Sequence, residues 1–98
     1  MFNKNLSKTG ELLLETPDQG VANYFMTQLT ESGYKERERV HITDGRLIVF
    51  SNGILCFVFA LIDKADLKLH RVFICGNHQG SWATDPDICC FFSDDPDN

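Results

Sequence analysis

Apolar residues recur at helical spacing in one stretch of the chain. Val21, Phe25 and Leu29 lie four apart with Ala22 and Met26 beside them, which predicts a helix with a single apolar stripe. Just before it, Thr16-Pro17-Asp18-Gln19 places a hydroxyl at N-cap, a proline at the first helical position and a glutamine at N3, the pattern of a capping box. Asp18 suits the positive end of the helix, and Gly33 supplies the left-handed residue that ends one. The expected helix covers 17–32. Glu11 to Glu15 is a short apolar run, readable as a first strand or as an extended lead-in.

Beyond Tyr34 the period changes to two. Residues 37–43 alternate, Asp44-Gly45 is a preferred hairpin turn, and Arg46 to Ser51 forms the next strand. Asn52-Gly53 is a second such turn. Ile54 to Ile62 is an unbroken apolar run, Asp63 to Asp66 a four-residue turn, and Leu67 to Cys75 a returning strand. Gly76 to Asp87 has loop composition. Ile88 to Ser93 reads as a last short strand. The pattern predicts an α+β fold over 1–98: a single domain with one N-terminal helix packed on an antiparallel meander sheet of four to five strands. Residues 1–9 and 94–98 are expected to be flexible.

Two-residue turns at 44–45 and 52–53 fix the faces. Phe50 then opposes Leu55, and Phe59 opposes both Arg46 and His70. One face carries Val40, Ile42, Leu47, Val49, Ile54, Cys56, Val58, Ala60 and Ile62. The other carries Ile48, Phe50, Leu55, Phe57, Phe59 and Leu61, with Arg39, His41, Thr43 and Arg46 at its margin. A lone antiparallel sheet normally leaves one face polar. Here both are apolar and one helix covers one of them, so the other needs the loop around Trp82, the last strand or a second protein.

Charge sharpens this picture. All nine basic side chains lie between Lys4 and Arg71, where nine acidic ones offset them. Residues 72–98 carry Asp85, Asp87, Asp94, Asp95 and Asp97 with no Lys or Arg, so the net charge of −5 belongs to that last quarter. Such an end argues against nucleic acid as partner, because phosphate binding needs concentrated Lys and Arg. No apolar stretch follows the N-terminal lysines, and the most apolar region, 47–62, is interrupted and shorter than a membrane span of about 20 residues. A cytoplasmic chain without membrane contact is the expectation, with its four cysteines as thiols.

Candidate chemistry is sparse. Cys75 and His78 have metal-ligand spacing, and Cys89 and Cys90 follow, so a zinc site on these four is the metal reading. Adjacent residues of a strand point to opposite faces, which leaves three ligands unless His70 or His41 joins, and favours buried core thiols, with no metal or cofactor. His70 falls beside Arg46 on the phenylalanine face, without a nucleophile and base to make a catalytic set. Asp94-Asp95-Pro96-Asp97 lacks the central glycine and distal glutamate of a calcium loop. Lys35 to Arg39 alternates in sign, putting Lys35, Arg37 and Arg39 on one face and Glu36 and Glu38 on the other, as on a charged edge strand.

These features lead to a small acidic, non-catalytic protein that inhibits or escorts another protein. The expected contact residues are Phe50, Phe57, Phe59 and Trp82 on the apolar side, and Asp85, Asp87, Asp94, Asp95 and Asp97 toward a basic surface. Size, acidity and element order resemble, at the level of fold alone, small acidic chaperones and the inhibitors and immunity proteins carried by phages and plasmids. A metal-stabilised domain or enzyme using Cys75, His78 and Cys89, and a structural homodimer, are the alternatives.

Overall fold

The computed structural model describes residues 10–77, 80–85 and 88–92. Strand β1 (Glu11–Thr16) leads into helix α1 (Gln19–Glu31), and then come β2 (Lys35–Ile42), β3 (Gly45–Ser51), β4 (Leu55–Lys64) and β5 (Leu67–Gly76). Two short 3-10 helices, Trp82–Thr84 and Ile88–Phe92, complete the described part. The strands make one antiparallel sheet in the order β1-β5-β4-β3-β2. The last four form the meander, and α1 carries the chain from β1 at one edge to β2 at the other. The helix therefore follows a strand rather than opening the chain. Among the described residues no helix is long and apolar enough to cross a membrane.

The cap of α1 lies two residues later than the sequence pattern places it. Thr16 remains in β1, paired with His70, so Asp18 takes the N-cap and accepts from the Gly20 N–H at 2.8 Å. The Thr16 hydroxyl accepts from the Asp18 N–H at 3.1 Å and steadies the turn instead. At the other end, the Tyr34 N–H bonds to the Leu29 carbonyl and the Gly33 N–H to that of Thr30, with Gly33 at φ +95°. That is a Schellman ending, in which only a residue tolerant of positive φ fits. Asp18→Ala should lower stability by about 1 kcal/mol, read from thermal melts, because it frees the Gly20 N–H at the helix start.

Both hairpin turns sit differently from expectation. Ile42 pairs with Gly45, so Thr43-Asp44 is the first turn, with Asp44 at φ +63°. Ser51 pairs with Cys56, so 52–55 form a four-residue loop. The Asn52 side chain holds that loop, accepting from the Ile54 and Leu55 N–H groups at 2.9 Å each. Each slip moves the pairing by two, which preserves every side chain's face. Phe50 accordingly opposes Phe57, and Leu61 stands between Arg46 and His70. The turn at 63–66 is also tighter than expected, since Lys64 pairs with Leu67.

Both apolar faces are covered by the chain itself. On the phenylalanine face, Leu29 of α1 joins Ile48, Phe50, Phe59 and Val72, with Phe25, Met26 and Tyr34 packed against them. Val21 is exposed, so the working stripe is Ala22, Phe25, Met26 and Leu29. On the opposite face, Trp82 and Phe91 join Leu47, Val49, Cys56, Val58, Ala60 and Phe73. The expected last strand is a 3-10 helix here. Its period of about three brings Ile88 and Phe91 to the same side, where strand alternation would separate them.

Candidate functional site

Of the predicted apolar contact residues, three are in the chain's own cores. Phe50 and Phe59 lie under α1, each in edge contact with the other at 5.6 Å between ring centres. Trp82 is buried on the opposite face beside Phe91. The idea that the phenylalanine face awaits a second protein is thus corrected: α1 covers it, and the Trp82 loop covers the other. Phe57 alone of the four stays half-buried. Asp85 is half-buried at the end of the first 3-10 helix, its carbonyl accepting from the Ile88 N–H. Asp87, Asp94, Asp95 and Asp97 lie outside the described residues.

The cysteines divide between the sheet and the C-terminal segment. Cys56 and Cys75 are cross-strand neighbours at the edge of the valine-rich core. Burial, with Cys56 beside it, pushes the Cys75 thiol up to about 12, which suppresses the thiolate that binds metal or attacks. Cys89 is exposed and Cys90 half-buried on a 3-10 helix, so the strand argument separating them does not apply. His78 lies outside the described residues. Among the described residues no group of three His, Cys, Asp or Glu is placed to hold a metal.

Three charged side chains hold the C-terminal segment over the sheet. A bulge in β2 at Arg37 breaks the expected alternation of Lys35 to Arg39. Arg39 and Glu36 end on the same side and pair at 2.8 Å, while Glu38 turns to the valine-rich face. There the Glu38 carboxylate accepts from the Ser81 hydroxyl, from the Trp82 N–H at 2.7 Å and from the Ala83 N–H at 3.3 Å. Partial burial pushes this carboxyl up, but Ser81, the two amides and Arg37 together outweigh it and hold it below the usual range. Arg37 donates to Asn77 Oδ1 and the Gly80 carbonyl. Buried Arg71 donates to Glu15 at 2.8 Å and to the Phe91 carbonyl at 3.1 Å. The sequence shows the charges of β2 but not the bulge that aims them.

One apolar region remains open, at the C-terminal end of α1. Leu55, where the 52–55 loop enters β4, lies on the same face as Phe57, and its partner across the sheet is Gly76, which offers no side chain to cover it. Phe57 touches the Tyr34 ring at 5.3 Å and faces Ile74 of β5, and all three are half-buried. Ile54, at the tip of the loop, is 74% exposed, although its backbone is pinned by Asn52. Apolar side chains are thus left open around the start of β4, and the most exposed of them, Ile54, is held on ordered backbone. No protein-family model matches this chain, and neither a curated protein nor a solved structure does.

Proposed function

We propose that the chain is a non-catalytic cytosolic binding protein that inhibits or escorts another protein, and that it meets this partner through Ile54, Leu55 and Phe57. The observation that carries the reading is Ile54, largely exposed on a loop whose backbone the Asn52 side chain already fixes. An apolar anchor displayed on ordered backbone loses little conformational freedom on binding, so more of its burial appears as affinity. The acidic last quarter supplies the second element. Five aspartates without a basic residue favour a partner with a basic rim and speed encounter more than they tighten the complex.

The test is a comparison of the immobilised chain with an Ile54→Asp, Leu55→Asp variant, both exposed to extract of the native host. Both positions are exposed, so the variant is expected to melt close to the wild type. A protein retained by the wild type should be lost about tenfold or more from the variant, as for interface anchors generally. Equal retention of the same proteins by both chains contradicts the assignment of this patch.

A further inference from the structure

Trp82 covers the valine-rich face from a very short element. The 3-10 helix Trp82–Thr84 closes on itself through long backbone bonds, from the Thr84 N–H to the Ser81 carbonyl at 3.4 Å and from the Asp85 N–H to the Trp82 carbonyl at 3.2 Å. Ser81, Ala83 and Thr84 are exposed, so Trp82 is the buried residue of this turn. Burying one large apolar side chain and ordering the residues 81–85 are opposed free energies of similar size. Polar contacts from outside the turn therefore decide whether it stays closed. Glu38 supplies them, with the Ser81 hydroxyl and the Trp82 and Ala83 N–H groups all donating to its carboxylate. Such bonds weaken by roughly half when the acceptor loses its charge.

The rest of the fold stands apart from this turn. The five strands pair with one another in a continuous sheet, and Leu29 of α1 packs with Ile48, Phe50, Phe59 and Val72 on the opposite side. The second 3-10 helix has its own anchor, from Arg71 to the Phe91 carbonyl. Arg37 bonds upstream of the turn, at Asn77 and Gly80. A short unit held by one carboxylate opens locally more readily than the sheet beneath it unfolds.

We infer that Glu38 is an acid-sensitive latch, whose protonation frees Trp82 from the valine-rich face while the sheet and α1 stay folded. The groups around the carboxylate are few. Arg37 acts on it from β2, its partner on β3 is Val49, and the turn contributes the Ser81 hydroxyl and two amides, with no charge from Ser81 to Thr84. Burial pushes this carboxyl up, and the three donors with Arg37 outweigh it and hold it below the ordinary glutamate value. A released Glu38 takes up its proton at the ordinary value, so the latched state binds the proton less readily than the open one. The latch is complete above the ordinary value and is lost as pH falls through the lowered one. Release exposes the indole and the part of the face that it covers, an apolar surface closed at neutral pH.

Trp82 is the only tryptophan of the chain, so its fluorescence reports on this turn alone. The experiment takes the full chain from neutral pH into the acid range and records tryptophan emission, quenching by acrylamide and far-UV circular dichroism together. Emission should shift to the red and quenching should rise severalfold before the dichroism changes. In Glu38→Gln, which has no proton to take up, both fluorescence signals should be changed already at neutral pH and stay level until the dichroism is lost. Glu38→Ala, which removes the acceptor altogether, should give the larger change at neutral pH with the dichroism retained. The two variants separate this latch from acid acting on Glu15, which holds Arg71 beneath the second 3-10 helix. Coincident fluorescence and dichroism transitions in the wild type overturn the inference. So do wild-type emission and quenching in both variants at neutral pH, a Glu38→Gln chain whose fluorescence titrates as the wild type does, and loss of the far-UV signal in either variant at neutral pH.

Discussion

Trp82→Ala is expected to lower folding stability by about 3–5 kcal/mol, the range for removing a buried tryptophan or phenylalanine side chain. Trp82 is among the largest fully buried side chains, 2% exposed, and its ring lies 5.9 Å from that of Phe91, which in turn meets Phe73 edge-on at 4.9 Å. Removing the indole leaves a void between the 3-10 segment and the strands, and the neighbouring rings cannot fill it while Glu38 and Arg71 hold the segment's backbone. Domains of this size are stable by about 5–15 kcal/mol, so the loss takes a large share of the total. Urea denaturation measures it. A midpoint within error of the wild type would mean that the loop is not part of the core.

Phe50→Glu is expected to abolish cooperative folding at 25 °C. The ring is 7% exposed beneath α1, in contact with Phe59 and within the cluster of Leu29, Ile48 and Val72. A carboxylate at this position loses the aromatic packing and also carries a charge or a proton into an apolar site, a cost of several kcal/mol beyond the truncation. The Ile54→Asp, Leu55→Asp variant makes a useful control, since it puts acids at two exposed positions at the start of β4. Far-UV circular dichroism and urea melts of the two separate the outcomes. A folded Phe50→Glu chain would mean that the phenylalanine face is open to solvent or to another molecule, as the sequence pattern alone suggests.

Much of the fold is legible in the residue pattern because of parity. The turns at 43–44 and 52–55 are misplaced by reading Asp44-Gly45 and Asn52-Gly53 as the two central residues, yet each error shifts the pairing by two and leaves every residue on its correct face. Leu47, Val49, Val58 and Ala60 therefore fall together, as do Ile48, Phe50 and Phe59, whichever turn is chosen. The exception is Ile54, counted as a strand residue and found on an exposed loop, because only the Asn52 side chain's bonds decide where the strand begins.

What is not legible depends on long-range contact. Thr16 and Asp18 are both good caps by residue type, and pairing of Thr16 with His70 fifty-four positions later decides between them. The bulge at Arg37 leaves no signature in a run of alternating charges, though it sends Glu38 to three donors at Ser81 to Ala83. Ile88 to Phe92 is apolar throughout and fits a strand or a tight helix equally. Arg71 decides there, because it binds the Phe91 carbonyl from beneath.

The C-terminal segment seals the valine-rich face within the same chain, and Cys56 reports on it. This thiol is fully buried beneath that face, whereas Cys89 on the covering 3-10 helix is exposed. The direct measurement is the rate at which iodoacetamide alkylates each cysteine of the native chain at neutral pH, followed by mass spectrometry of the peptides. Cys89 should react first and Cys56 only on the timescale of unfolding, with Trp82→Ala accelerating Cys56. Alkylation of Cys56 in the native wild type as fast as that of Cys89 would mean that the valine-rich face is open to solvent.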